Sequence, residues 1–129
     1  MQFVAYGHAS IEGTHKTTFE LTQHTSVMPK GDCVIGTRAD FDADALAAIA
    51  QVSKKLKLTL AIGGLKEVVI GDANSGFVPG PEFIIRKTDA LSPHTLMVNA
   101  DKAAADFSRR FVDALKNPET HLTVLIERI

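Results

Sequence analysis

The chain has 129 residues, with 14 Lys+Arg against 15 Asp+Glu, a formal net charge of −1, 45% hydrophobic and 22% charged residues. It is too apolar for a disordered chain, and its balanced charge argues against nucleic acid as a partner. One cysteine excludes an intramolecular disulfide framework and a multi-thiolate zinc cage, and the length suits a single domain over residues 1–129.

The N-terminal residues Met1–His8 lack the basic and apolar regions of a signal peptide. No apolar run approaches the roughly 20 residues of a membrane helix. A cytoplasmic location is expected, with no membrane partner and with Cys33 as a free thiol.

In chain order, the apolar stretch Phe3–Ile11 predicts a strand that ends before a turn at Glu12-Gly13. Thr17–Thr22 alternates, with Thr17, Phe19 and Leu21 on one face and Thr18, Glu20 and Thr22 on the other. Pro29-Lys30-Gly31-Asp32 is a turn signal, and Cys33–Thr37 reads as a short β-branched strand. A helix begins near Asp42, which suits the N-cap, with Asp44 in the first turn. Leu46, Ile49, Val52, Ser53 and Leu56 follow helical spacing, and Lys54, Lys55 and Lys57 read as a solvated helix end. Lys57–Ile62 and Lys66–Ile70 flank Gly63-Gly64 as a hairpin. Residues 71–81 form a Gly- and Pro-rich loop with the apolar tip Phe77-Val78. Glu82–Thr88 and Thr95–Asn99 are further strands, separated by a turn at Ser92-Pro93. A second helix starts near Asn99–Asp101, carries the stripe Ala104, Phe107, Phe111, Ala114 and Leu115, and stops at Asn117-Pro118. His121–Ile126 is the last strand. The order β-β-β-α-β-β-β-β-α-β is not the alternation of a doubly wound sheet. It predicts an α+β, β-rich fold. The sheet system is largely antiparallel, a sandwich being one form of it, with seven or eight strands and two packed helices.

His8, His15, Glu20, His24, Asp32 and Cys33 concentrate ligand-type side chains in the first 33 residues. Two imidazoles and a carboxylate suit a divalent metal with a position left for water, and they equally suit hydrogen-bonded turn residues. Thr18, Glu20 and Thr22 read either as one wall of a polar cleft, with Glu20 as general base, or as a solvated sheet face. Arg86-Lys87 and Arg109-Arg110 offer forks for carboxylate or phosphate, and Lys102 shares a helix face with Arg109. Asp106 stands four residues before Arg110, the spacing of a helix ion pair, so surface pairing competes with ligand binding here. Cys33 has no Cys-X-X-Cys partner and reads as a small buried hydrophobe. Phe77-Val78 reads as a contact between protomers or as a loop folded back on the core.

Gly7-His8, then His15 to Thr22 (His-Lys-Thr-Thr-Phe-Glu-Leu-Thr), then Gly31-Asp32-Cys33-Val34-Ile35-Gly36 resemble the opening of an archaeal family, the domain of unknown function numbered 371. Ile85-Arg86-Lys87-Thr88 is similar to its Arg-Lys-Ser segment. Thr95-Leu96, Ala100–Asp106 and Arg109 are similar to its terminal helix. Val34 stands where the family has Ile, and His94 where it has Arg. The resemblance implies a small, β-rich, cytoplasmic archaeal domain and carries no assigned activity. The matched positions are largely polar: His8, His15, Thr18, Glu20, Thr22, Asp32, Arg86, Lys87, Asp101, Lys102 and Arg109. A pattern kept for packing would be apolar, so the polar-cleft reading gains.

Two functions follow as expectations, and whether the chain is an enzyme stays open. In the first, His8, His15 and Glu20 supply acid-base or metal-assisted hydrolytic chemistry. Thr18, Thr22, Asp32, Arg86, Lys87, Lys102 and Arg109 then hold a small phosphate- or carboxylate-bearing molecule. In the second, the chain is a non-enzymatic protein-interaction or assembly module whose polar face and Phe77-Val78 loop meet a partner, a protein before an RNA, with assembly of copies through Phe77-Val78 as one version.

Overall fold

A computed structural model describes residues 1–27 and 31–129. The elements are β1 (Gln2–Tyr6), β2 (Thr18–Thr22), β3 (Val34–Gly36), α1 (Ala43–Val52), β4 (Lys55–Ile62), β5 (Leu65–Ala73), β6 (Glu82–Arg86), β7 (Thr95–Val98), α2 (Arg109–Leu115) and β8 (His121–Arg128). A 3₁₀ turn, Ala104–Asp106, precedes α2. The fold is thus α+β and β-rich, with the expected element order. Of the turn expected at Pro29-Lys30-Gly31-Asp32, Pro29 and Lys30 lie outside the described residues.

All eight strands join in one sheet, in the order β1-β8-β4-β5-β7-β6-β2-β3. The pairs β7/β6 and β2/β3 are parallel and the others antiparallel. The two ends of this order meet. Tyr6 and Thr37 exchange both backbone hydrogen bonds at 2.8 Å, which closes the sheet into a barrel rather than stacking two layers. In a closed sheet alternate residues point inward. Phe3 and Ala5, Phe19 and Leu21, Leu56, Leu58 and Leu60, Phe83 and Ile85, and Leu122, Val124 and Ile126 fill the interior. Two phenylalanine clusters extend that core. Phe41, just before α1, packs edge-on against Phe3 and Phe83, with centroids 5.5 and 5.2 Å away. Phe107 stands 5.1 Å from Phe19 and 5.7 Å from Phe111.

Asp42 caps α1 as its sequence demands, its carboxylate accepting from the Ala45 amide at 3.1 Å. The buried residues of α1 are Leu46, Ala47 and Ala50, whereas Val52 is exposed. The helix also ends earlier than its apolar spacing suggests. Lys55 and Lys57 belong to β4, because Leu56, Leu58 and Leu60 alternate into the core and that burial outweighs continued helical spacing. Lys55 pairs with Asp72 at 2.8 Å instead of sitting at a helix end.

The second helix starts later than expected. Asp106 turns back to accept from the Ala103 amide at 2.8 Å, and Ser108 caps a new helix by accepting from the Phe111 amide at 3.1 Å. With the helix broken, Asp106 pairs with Lys87 at 3.1 Å and not with Arg110. In the loop after β5, Phe77 is buried while Val78 is exposed, and the Val78 amide donates to the Pro93 carbonyl at 2.7 Å. The fold-back reading therefore describes Phe77. No helix is long and apolar enough to cross a membrane among the described residues.

Candidate functional site

Alternation in β2 turns Phe19 and Leu21 inward and leaves Thr18 and Glu20 on the outer face. The antiparallel register sets Thr18 opposite Arg86, Glu20 opposite Ile84 and Thr22 opposite Glu82. Glu20 is therefore the diagonal neighbour of both Glu82 and Arg86. On the other side β3 runs parallel, and the Glu20 amide donates to the Cys33 carbonyl at 2.9 Å. This register brings Asp32 and Cys33 beside Glu20.

The electrostatics follow from that crowding. Burial raises the Glu20 carboxyl above its ordinary value of 4.5. The negative charges of Glu82 and Asp32 add to the rise, and the Arg86 guanidinium opposes it. The Cys33 thiol is pushed up to about 11, by burial first and then by Glu20 and Asp32. At neutral pH it holds about 100-fold fewer thiolates than an ordinary thiol of 9.0. The greater nucleophilicity of a more basic thiolate offsets about tenfold of this. Exchange of Cys33 with a small disulfide reagent should thus run at least about tenfold slower than with free cysteine. A rate equal to that of free cysteine would contradict the burial of Cys33 beside the two carboxylates.

His15 adjoins the same face. Its Nδ1 accepts from the Thr18 amide at 3.1 Å and the Thr17 amide at 3.2 Å, with the Thr18 hydroxyl also at 3.1 Å. In the neutral ring this places the proton on Nε2, and Nε2 alone is left for exchange or ligation. Arg86 completes the face. Its Nε donates to Thr95 Oγ1 at 2.9 Å and its Nη2 to Ser92 Oγ at 3.1 Å. Two hydroxyls thus fix the guanidinium, and no described carboxylate pairs with it.

Other residues singled out in the sequence lie elsewhere or are already engaged. Thr22 is buried, and its hydroxyl accepts from the His24 amide at 3.1 Å. Lys87 is held by Asp106. Lys102 donates to Glu67 at 2.8 Å, and the second Glu67 oxygen accepts from the Ser108 amide at 2.9 Å. Arg109 donates to the carbonyls of Gly13, Ala104 and Phe107, tying the His15 loop to the start of α2. His8 accepts at Nδ1 from the Ser10 amide at 3.0 Å and lines a separate cavity of about 410 Å³. No three His, Cys, Asp or Glu side chains converge as a metal-holding group among the described residues.

Sequence reasoning missed four participants. Glu82 was legible in principle, because it shares a face with Ile84 and Arg86 by strand alternation. Ser92 and Thr95, which orient Arg86, carry no local signal beyond their hydroxyls. Glu67 reads as an ordinary polar residue of a hairpin, although its carboxylate is drawn inward to Lys102 and Ser108.

A closed eight-stranded α+β barrel with a half-buried carboxyl and a fixed arginine on its outer face defines the class of this protein. The family model described as "Domain of unknown function (DUF371)" matches residues 3–129. Over 124 residues the chain is 33% identical to the uncharacterized protein MJ0206 of Methanocaldococcus jannaschii, which covers 90% of this chain and 92% of that protein. The chain belongs to the DUF371 family.

Proposed function

We propose that the outer face of β2 and β6 binds a small molecule bearing a carboxylate or phosphate, and that Glu20 exchanges a proton with it. One observation carries this reading. Arg86 is oriented by two hydroxyls and matched by no described carboxylate, one diagonal step from a Glu20 carboxyl that receives no hydrogen bond from a described residue. Diagonal neighbours across antiparallel strands stand roughly 7–8 Å apart, which leaves room for a ligand group between them. Arg86 presents its remaining N–H groups to an oxyanion, and such charge-assisted bonds contribute about 1.5–3 kcal/mol each. Glu20 holds its proton to higher pH than a free glutamate, which suits a general acid. The Thr18 hydroxyl and the His15 ring extend the same face. If the bound molecule turns over, the reaction is an acid-base one such as hydrolysis of a phosphorylated metabolite.

A thermal-shift panel of phosphorylated and carboxylated metabolites, with and without divalent metals, tests this. A ligand at 100 times its Kd adds about 2.7 kcal/mol, several degrees for a chain of this size. Arg86→Met should abolish that shift, and Glu20→Gln should keep it while stopping turnover. A shift that survives Arg86→Met would move the ligand to another face. Glu20→Gln also has an expected signature without ligand. A carboxyl whose proton affinity is raised by folding stabilises the fold below its ordinary value of 4.5 and loses that contribution as pH rises through the folded value. Glu20→Gln should therefore match wild type in acid and melt above it at neutral pH. Parallel melting curves at all pH values would contradict the burial of Glu20 and its crowding by Glu82 and Asp32.

A further inference from the structure

We infer that the cavity at the barrel seam is a second ligand site, one that takes the carboxylate of a small molecule carrying a neighbouring hydroxyl or amino group. The seam is where β1 and the chain after β3 meet at Tyr6 and Thr37. Beside that bridge Gly7, His8, Arg38, Pro118 and Glu119 line a cleft. The cavity is a cleft open to solvent, with a volume of about 410 Å³, within the range of small-metabolite pockets.

Arg38 is the residue that needs explaining. It stands at φ +50°, in the left-handed region that a long side chain rarely adopts. Such strain persists only where the surroundings enforce it, and it gathers at ligand sites. Here the Arg38 Nη2 donates to the Pro118 carbonyl at 2.6 Å, and the guanidinium lies 4.3 Å over the Tyr6 ring. A backbone twist, a carbonyl and an aromatic face thus fix the head group, yet no described carboxylate pairs with it. Its other N–H groups remain for a planar oxyanion.

The rest of the wall fits one class of ligand. His8 accepts from Ser10 at Nδ1, so its neutral ring carries the donor at Nε2. Thr25 adds a hydroxyl. Glu119 is the wall's acid. It repels a polyanion and accepts from a hydroxyl or an ammonium. Arg38 and Glu119 together therefore favour a singly charged hydroxy or amino acid over a nucleotide or an inorganic phosphate. The cavity shares no residue with the outer face of β2 and β6, so the two sites stand or fall separately.

Amide NMR titrations of the whole chain with lactate, acetate and inorganic phosphate decide the matter. Lactate should give saturable shifts at Gly7, Ala9, Thr25 and Glu119, and should bind more tightly than acetate. Arg38→Gly accepts φ +50° without strain, so it keeps the fold, and it should weaken lactate at least about tenfold. Glu119→Gln should narrow the preference for lactate over acetate. Arg86→Met, which breaks the other site, should leave this titration unchanged. Three results would each overturn the inference: no saturable shift with lactate, an unchanged affinity in folded Arg38→Gly, or phosphate binding more tightly than lactate.

Discussion

Gly7→Ala should damage the fold severely, costing more than about 4 kcal/mol and lowering Tm by roughly 10 °C or more. A Cβ at Gly7 would fall well under 3.0 Å from the carbonyl oxygens of Leu115 and Asn117. Both are backbone atoms at the end of α2, so neither can swing aside like a side chain. The Leu115 carbonyl also accepts from the His8 amide at 2.9 Å, and the Gly7 amide donates to Thr120 at 3.0 Å. Moving α2 to admit a methyl group would break these bonds and lift Phe111 and Leu115 from the core. Gly64→Ala is the matched control, because a Cβ there meets nothing within 4 Å. It should change stability by less than about 0.5 kcal/mol. Urea denaturation of the two variants beside wild type makes the comparison. A Gly7→Ala protein as stable as Gly64→Ala would mean that α2 is not seated on the end of β1.

The second large effect is expected at Lys102. Lys102→Met should cost about 2–3 kcal/mol, and Glu67→Gln markedly less. Glu67 is buried, with its side chain 10% exposed, whereas the Lys102 side chain is 32% exposed. Removing the cation strands a carboxylate that water reaches poorly, with only the Ser108 amide for company. Loss of one partner of a fully buried pair costs about 3–5 kcal/mol, and the partial exposure of Lys102 reduces that figure. Glu67→Gln removes the charge, keeps an oxygen for Ser108, and leaves Lys102 able to turn to solvent. The double variant Lys102→Met with Glu67→Leu should regain much of the loss, since neither then leaves a buried charge. A double-mutant cycle in urea reads this directly, and additive losses would show that the pair is not coupled.

These two positions also show what the sequence could and could not reveal. β2 was legible because alternation over five residues leaves one register for Phe19 and Leu21, and with them Thr18 and Glu20. The N-cap at Asp42 was legible because capping is local. Arg109 was not. Its fork looks available on a helix, yet it closes on the Gly13 carbonyl, 96 residues away in the chain. Lys102 looked free until Glu67, 35 residues distant, came to meet it. The break before α2 was hidden for the same reason, since the Ser108 amide is satisfied by that same glutamate. Lys55 and Lys57 misled because positive charge suits a helix end as well as a strand face. Short-range patterns therefore located the outer face of β2, and only the barrel's pairing decided which cations remain open to a ligand.

The place of β8 between β1 and β4 sets the order in which the molecule can assemble. Gln2 pairs with Leu125 and Leu56 with Arg128, so the ring needs a segment from the far end of the chain. Closing so long a loop costs only logarithmically in entropy, but it slows folding because no reward comes before the segment arrives. Until then β1 and β4 each present a row of unpaired amides and carbonyls, which is a template for joining another chain. Newly made protein is thus most prone to aggregation in the interval before its last strand docks.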